Sequence, residues 1–107
     1  MPKFLIQVKY SPQGIKGVVE QGGSARVAQA TRLIEGLGGK LESFHFAFGG
    51  TDVYVIADMP DNTAAAAGPL IIGSAGTECT TVVLITPEEM DEAAKKAQTE
   101  TGYRPPG

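Results

Sequence analysis

The 107-residue sequence predicts an α+β sandwich, a four-stranded antiparallel sheet with its helices on one face. Three observations lead there. Three short segments alternate apolar and polar residues, the period of a half-buried strand, and a fourth is rich in β-branched residues. Between and after them lie segments whose apolar residues recur at helical spacing. The two kinds follow one another as β, α, β, β, α, β, α, an order in which strands and helices segregate into two layers.

Each element has its own warrant. Phe4, Ile6, Val8 and Tyr10 point one way and Lys3, Leu5, Gln7 and Lys9 the other, and Ser11-Pro12 ends this first strand. Ile15, Val18 and Val19 suggest a short helical turn from Pro12 to Gln21, closed by Gly22-Gly23. Ser24 is then the expected N-cap of a longer helix, with Val27, Ala30, Leu33, Ile34 and Leu37 on one face and Gly38-Gly39 as its stop. Leu41 to Phe48 and Asp52 to Asp58 alternate as two strands, joined across Gly49-Gly50, a dipeptide that admits positive φ in a tight hairpin. Pro60-Asp61-Asn62 opens an Ala-rich helix that Gly68-Pro69 should bend or break. Cys79 to Thr86 is the fourth strand, and Thr86-Pro87-Glu88-Glu89 starts a last helix running to about Gln98. The sum is a ferredoxin-like βαββαβ sandwich with a C-terminal helix, strand order 4-1-3-2. Residues 1–99 read as one domain and 100–107 as an extended tail.

The hairpin sets which side chains share a face. With Phe48 opposite Thr51, the pairs are Ala47 with Asp52, Phe46 with Val53, His45 with Tyr54, Phe44 with Val55 and Ser43 with Ile56. Phe44, Phe46, Phe48, Val53, Val55 and Ala57 then belong under the helices. The open side carries Leu41, Ser43, His45, Ala47, Asp52, Tyr54 and Ile56, joined by Leu5, Gln7 and Lys9 of the first strand, with Lys9 close to Asp52. This open face is too apolar to be comfortable in water, so a partner is expected to cover it.

Composition removes several classes of function. Nine Lys and Arg against twelve Asp and Glu leave a net charge of −3 with no basic stripe, so nucleic acid is not an expected partner. The single cysteine, Cys79, makes no internal disulfide, and no Cys/His spacing resembles a metal site; a reducing cytoplasm is the expected compartment and no cofactor or metal is expected. No apolar stretch approaches a membrane span, so neither is a membrane.

One group of residues could carry chemistry. His45, Tyr54, Asp52 and Lys9 fall on one surface, with the sole histidine across from a tyrosine. Histidine titrates near neutrality and tyrosine can donate to a developing oxyanion. A His-Tyr and a Lys-Asp cross-strand pair are also common at a subunit interface, which is the simpler reading. Arg26 and Arg32 flank the apolar stripe of the long helix and are able to bind carboxylates, though solvation is the simpler account for them too. Gly14-Ile15-Lys16-Gly17 and Gly22-Gly23-Ser24 match no phosphate-binding fingerprint and read as turns. Cys79 reads as a small buried hydrophobe, and the tail with Tyr103 and Arg104 as a strap over a partner or a cavity mouth.

Tyr10-Ser-Pro-Gln-Gly-Ile-Lys16, Gly22-Gly-Ser-Ala-Arg26, Gly38-Gly-Lys-Leu41, Ser43-Phe-His-Phe-Ala-Phe-Gly49 and Thr86-Pro-Glu-Glu89 together resemble the GYD domain family over nearly the whole chain. The resemblance implies a ferredoxin-like domain related to the dimeric α/β-barrel proteins, whose open sheet faces meet in an oligomer, and it carries no activity with it. The tripeptide that names the family is altered: Gly50 and Asp52 match its ends and Thr51 stands where the tyrosine would be. The expected function is a homo-oligomeric small-molecule-binding or interaction module using the open face. The alternative is a cofactor-independent enzyme acting on a small metabolite, with His45 moving the proton, Tyr54 donating a hydrogen bond, and Lys9 and Asp52 orienting the substrate.

Overall fold

The computed structural model describes all 107 residues. Its elements are β1 (Lys3–Lys9), α1 (Pro12–Gln21), α2 (Gly23–Gly36), β2 (Lys40–Phe46), β3 (Val53–Asp58), α3 (Asn62–Ser74), β4 (Glu78–Leu84) and α4 (Pro87–Ala97). The sheet has the order β2-β3-β1-β4 and is antiparallel throughout, the α+β ferredoxin-like arrangement.

Local chemistry starts and stops the helices. Ser11 accepts from the Gly14 N–H at 3.1 Å and Pro12 opens α1. Gly22, at φ 80, both ends α1 and caps α2, so Ser24 lies inside the first turn of α2 and does not cap it. At the other end of α2, the Gly39 N–H returns to the Ile34 carbonyl at 2.9 Å. Asp61 caps α3 by accepting from the Ala64 N–H at 2.8 Å. That helix continues without interruption through Gly68-Pro69. Proline there removes one intrahelical donor, a loss the remaining turns of a 13-residue helix absorb. Thr86 and Glu89 form a reciprocal capping box at the start of α4, each bond 3.0 Å.

The β2-β3 pairing follows the expected register from Ser43-Ile56 to Phe46-Val53. Three details of the hairpin differ from expectation. Neither Gly49 nor Gly50 has a positive φ; the Ala47 N–H bonds the Asp52 carbonyl at 2.8 Å, enclosing a four-residue loop in place of a two-residue turn. Phe48 is inside that loop and fully exposed, so it does not join the helix side. A register shift between Leu41 and Ser43 turns Leu41 off the open face: it lies opposite Ala57 and packs on the core.

The core is small. Phe4, Val8, Val53, Val55 and Ala57 from the sheet meet Ile34 of α2, Ala65 of α3 and Met59, and these eight are the only residues fully buried. Every residue of α4 is exposed, and beside it Val83, Ile85 and Met90 are 62%, 49% and 55% exposed. The helix stands off the body, and the radius of gyration, 17.3 Å, exceeds the ~13 Å of a compact chain this long.

Gly39 marks the tightest seam between layers. A Cβ there would lie 2.5 Å from both the Asp58 carbonyl oxygen and the Met59 sulfur. Gly39→Ala should destabilise the fold by about 1–3 kcal/mol, the usual range for overpacking. Gly49→Ala, with open space around it, should change stability by less than about 0.5 kcal/mol. Urea midpoints of the two variants check the contrast.

Candidate functional site

The pairing of β1 with both neighbours lays out the open face in rows. Lys3 stands between Asp58 and Leu84, Leu5 between Ile56 and Val82, and Gln7 between Tyr54 and Thr80, while Lys9 faces Glu78. β2 extends three rows, placing Lys40 beside Asp58, Ser43 beside Ile56 and His45 beside Tyr54. Val82, Leu5 and Ile56 thus form an apolar band flanked by polar rows, and Tyr54 and Val82 are 40% and 38% exposed.

His45 and Tyr54 meet as the register required, both open to solvent. An imidazole and a phenol at cross-strand distance can hold or pass a proton on a shared ligand. Asp52 and Lys9 do not complete a constellation with them. Lys9 is next to Asp52 in register, since Val8 pairs with Val53, but no ion pair links the two; the ion pairs of the structure are those of Lys3. The Asp52 carboxylate accepts the Tyr10 N–H at 2.8 Å, and the Asp52 N–H donates to the Val8 carbonyl at 2.9 Å. Asp52 therefore ties the start of β3 to the end of β1.

A charged cluster absent from the sequence reading occupies the first row. Lys3 Nζ donates to Glu42 at 2.7 Å and to Asp58 at 3.0 Å, and these two hydrogen bonds push its pKa above the ordinary 10.5. Glu42 reaches Lys3 beside the same register shift that turned Leu41 inward. No group of His, Cys, Asp and Glu is assembled as a metal site.

Two cavities flank the sheet. One, of about 550 Å³, lies between the sheet and helices α2 and α3, with Ile6, Leu33, Phe44 and Ile72 in its wall and Tyr10 and Arg26 among its few polar members. Burial pushes the Tyr10 phenol up, against the pull of the Arg26 charge and with that of Asp52. Burial alone pushes the Cys79 thiol up in the same wall. The other is a trough of about 740 Å³ along the ends of β1 and β4, bordered by Lys9, Thr51, Glu78 and Thr80. Neither cavity reaches His45 or Tyr54.

The family model of the GYD domain matches residues 4–94. The chain belongs to the GYD domain family. No curated protein and no solved structure matches it. In this GYD domain the segment Gly50-Thr51-Asp52 closes the hairpin loop, so Thr51 lies off the sheet and only Asp52 takes part in the strand bonding described above. The sequence leaves Arg26 able to bind a carboxylate, with solvation as the simpler account, and puts Tyr10 on the side of β1 that carries Phe4; helical spacing places Arg26 beside the apolar stripe, but only the packing of α2 on the sheet brings the two near each other.

Two outcomes follow from these contacts. Asp52→Ala should lower stability by about 1–3 kcal/mol, because the Tyr10 N–H loses a charged acceptor, and Asp52→Asn should recover most of it; chemical denaturation measures both. Cys79, Tyr10 and Lys3 all hold protons more tightly when folded than at their ordinary 9.0, 10.0 and 10.5. A native state that binds more protons than the unfolded chain loses stability as pH rises. These groups leave stability unchanged below about pH 8 and lower it from about pH 9 upward, the thiol first. Melting temperatures across that range, with Cys79→Ala flattening the earliest part of the decline, test the assignment.

Proposed function

We propose that this GYD domain is a homo-oligomeric binding module whose open sheet face is covered by a second copy of itself. The observation that carries the reading is the apolar band of Val82, Leu5 and Ile56, which no element of its own chain crosses. The standing-off of α4 supports it. An amphipathic helix with a full capping box but no packing partner gains little from its own chain, since most helical stability comes from burying an apolar face. Magnitudes favour using both surfaces. Four strands of about seven residues span roughly 19 Å by 23 Å, on the order of 400 Å² in plane. A specific interface takes about 800 Å² from each partner, so the sheet supplies part and α4 laid on the neighbour supplies more. The lone thiol and the absence of any internal disulfide fit a reducing cytoplasm as its compartment, and no helix is long and apolar enough to cross a membrane.

The enzymatic alternative, with His45 as the proton-transfer residue, has the His45-Tyr54 neighbourhood in its favour, but neither of the two main cavities reaches that pair. The oligomeric reading therefore takes precedence.

Light scattering on the eluting protein should give at least twice the mass of one 11.1 kDa chain at tens of micromolar. Val82→Lys, an edge-strand change at an exposed position, should shift it to the monomer while leaving far-ultraviolet dichroism intact. A wild-type protein that is monomeric at that concentration removes the reading.

A further inference from the structure

The helix-side cavity lies on the opposite face of the sheet from the proposed partner and within one copy of the chain. Its volume, about 550 Å³, falls in the ~300–1,000 Å³ range of small-molecule sites, and its wall is mainly aliphatic and aromatic. Charge in it is of one sign. Arg26 and Arg32 border the space and no carboxylate does. Arg26 is half-buried and forms no ion pair; one Nη donates to the Gln21 side chain at 2.6 Å, while Nε is buried without any hydrogen-bond partner. A buried polar atom left unsatisfied is costly, and a guanidinium presents a planar fork that matches a carboxylate through two parallel bonds. Nearby, the Tyr10 phenol supplies a hydroxyl that stays protonated at neutral pH.

We infer that this cavity binds a small apolar monocarboxylic acid, its hydrocarbon or aromatic part among Ile6, Leu33, Phe44 and Ile72 and its carboxylate on Arg26, assisted by Tyr10. A carboxylate bound there would supply a partner to Arg26 Nε, the one buried side-chain nitrogen or oxygen of the fold that has none. The sign of the charge selects the acid over a neutral analogue.

Titration of the full chain with 4-phenylbutyrate and with its amide, followed by amide chemical shifts and by calorimetry, tests the inference. The acid should bind with shifts centred on Tyr10, Arg26, Leu33 and Ile72, and the amide about 10- to 100-fold more weakly, the range of a charge-assisted hydrogen bond. Arg26→Met should weaken the acid by a similar factor and leave the amide unchanged, and Ala30→Phe, which fills the space, should weaken both. The oligomeric state does not enter, so Val82→Lys should bind the acid as the wild type does. No binding of the acid at millimolar concentration, equal binding of acid and amide, an acid affinity indifferent to Arg26→Met, or shifts centred on His45 and Tyr54 would each overturn it.

Discussion

A single strand hydrogen-bonded along both edges governs this molecule. β1 pairs with β3 on one side and β4 on the other over nearly its whole length, and its seven residues alternate without a bulge. Because side chains alternate with a period of two, one decision about Phe4 propagates through the sheet. Phe4, Ile6 and Val8 carry Val55, Ala57, Val83 and Cys79 to the helix side, and Leu5 and Gln7 carry Ile56, Tyr54, Val82 and Thr80 to the other. A slip by one residue would put Phe4 in water and Lys3 against α2. The penalty would exceed a typical margin of stability, since burying an aromatic side chain is worth about 2–3 kcal/mol and burying an unpaired ammonium is far more costly.

That constraint makes two unlike surfaces and leaves each incomplete. The helix layer does not fill its side: α2 lies along β2 and α3 along β4, and the gap between them is the cavity. The opposite side has no layer at all. With eight buried residues and no disulfide, the chain stands at the low end of what a core this size can stabilise. Covering the apolar band and α4 by association, or filling the cavity with a ligand, would each add burial that the lone chain lacks, and anything that binds only the folded form shifts the equilibrium toward it.

Much of this was legible in the sequence, and the reasons differ by residue. The strand order, the β2-β3 register and the His45-Tyr54 neighbourhood follow from alternation and from sequential hairpin pairing, which are local rules. What the rules missed needed knowledge of contacts between elements. The shift between Leu41 and Ser43 breaks the period at one point, and nothing in the composition of Leu41-Glu42-Ser43 announces it. Ser24 is a good cap by type, but Gly22 has the freedom to turn the chain two residues earlier. For Arg26 solvation was the simpler account beside carboxylate binding, because flanking charges on an amphipathic helix are usually solvated; its half-buried place in the cavity wall depends on how α2 packs on the sheet, which is not a local property of the sequence.

The departure at Thr51 can be weighed on the same physical grounds. Had the third residue of the tripeptide been the one changed, the end of β1 would have lost its carboxylate acceptor and the mouth of the cavity its anchor, because Tyr10 hangs from Asp52 by that bond. The middle residue sits in the hairpin loop, outside the ladder and outside the cavity wall, and borders only the exposed trough near Lys9. A side chain there is free to vary without disturbing the sheet. Of the two ends of the tripeptide, Asp52 alone does structural work that the middle does not share, joining the third strand to the first, whereas Gly50 has no positive φ and open space where a Cβ would lie.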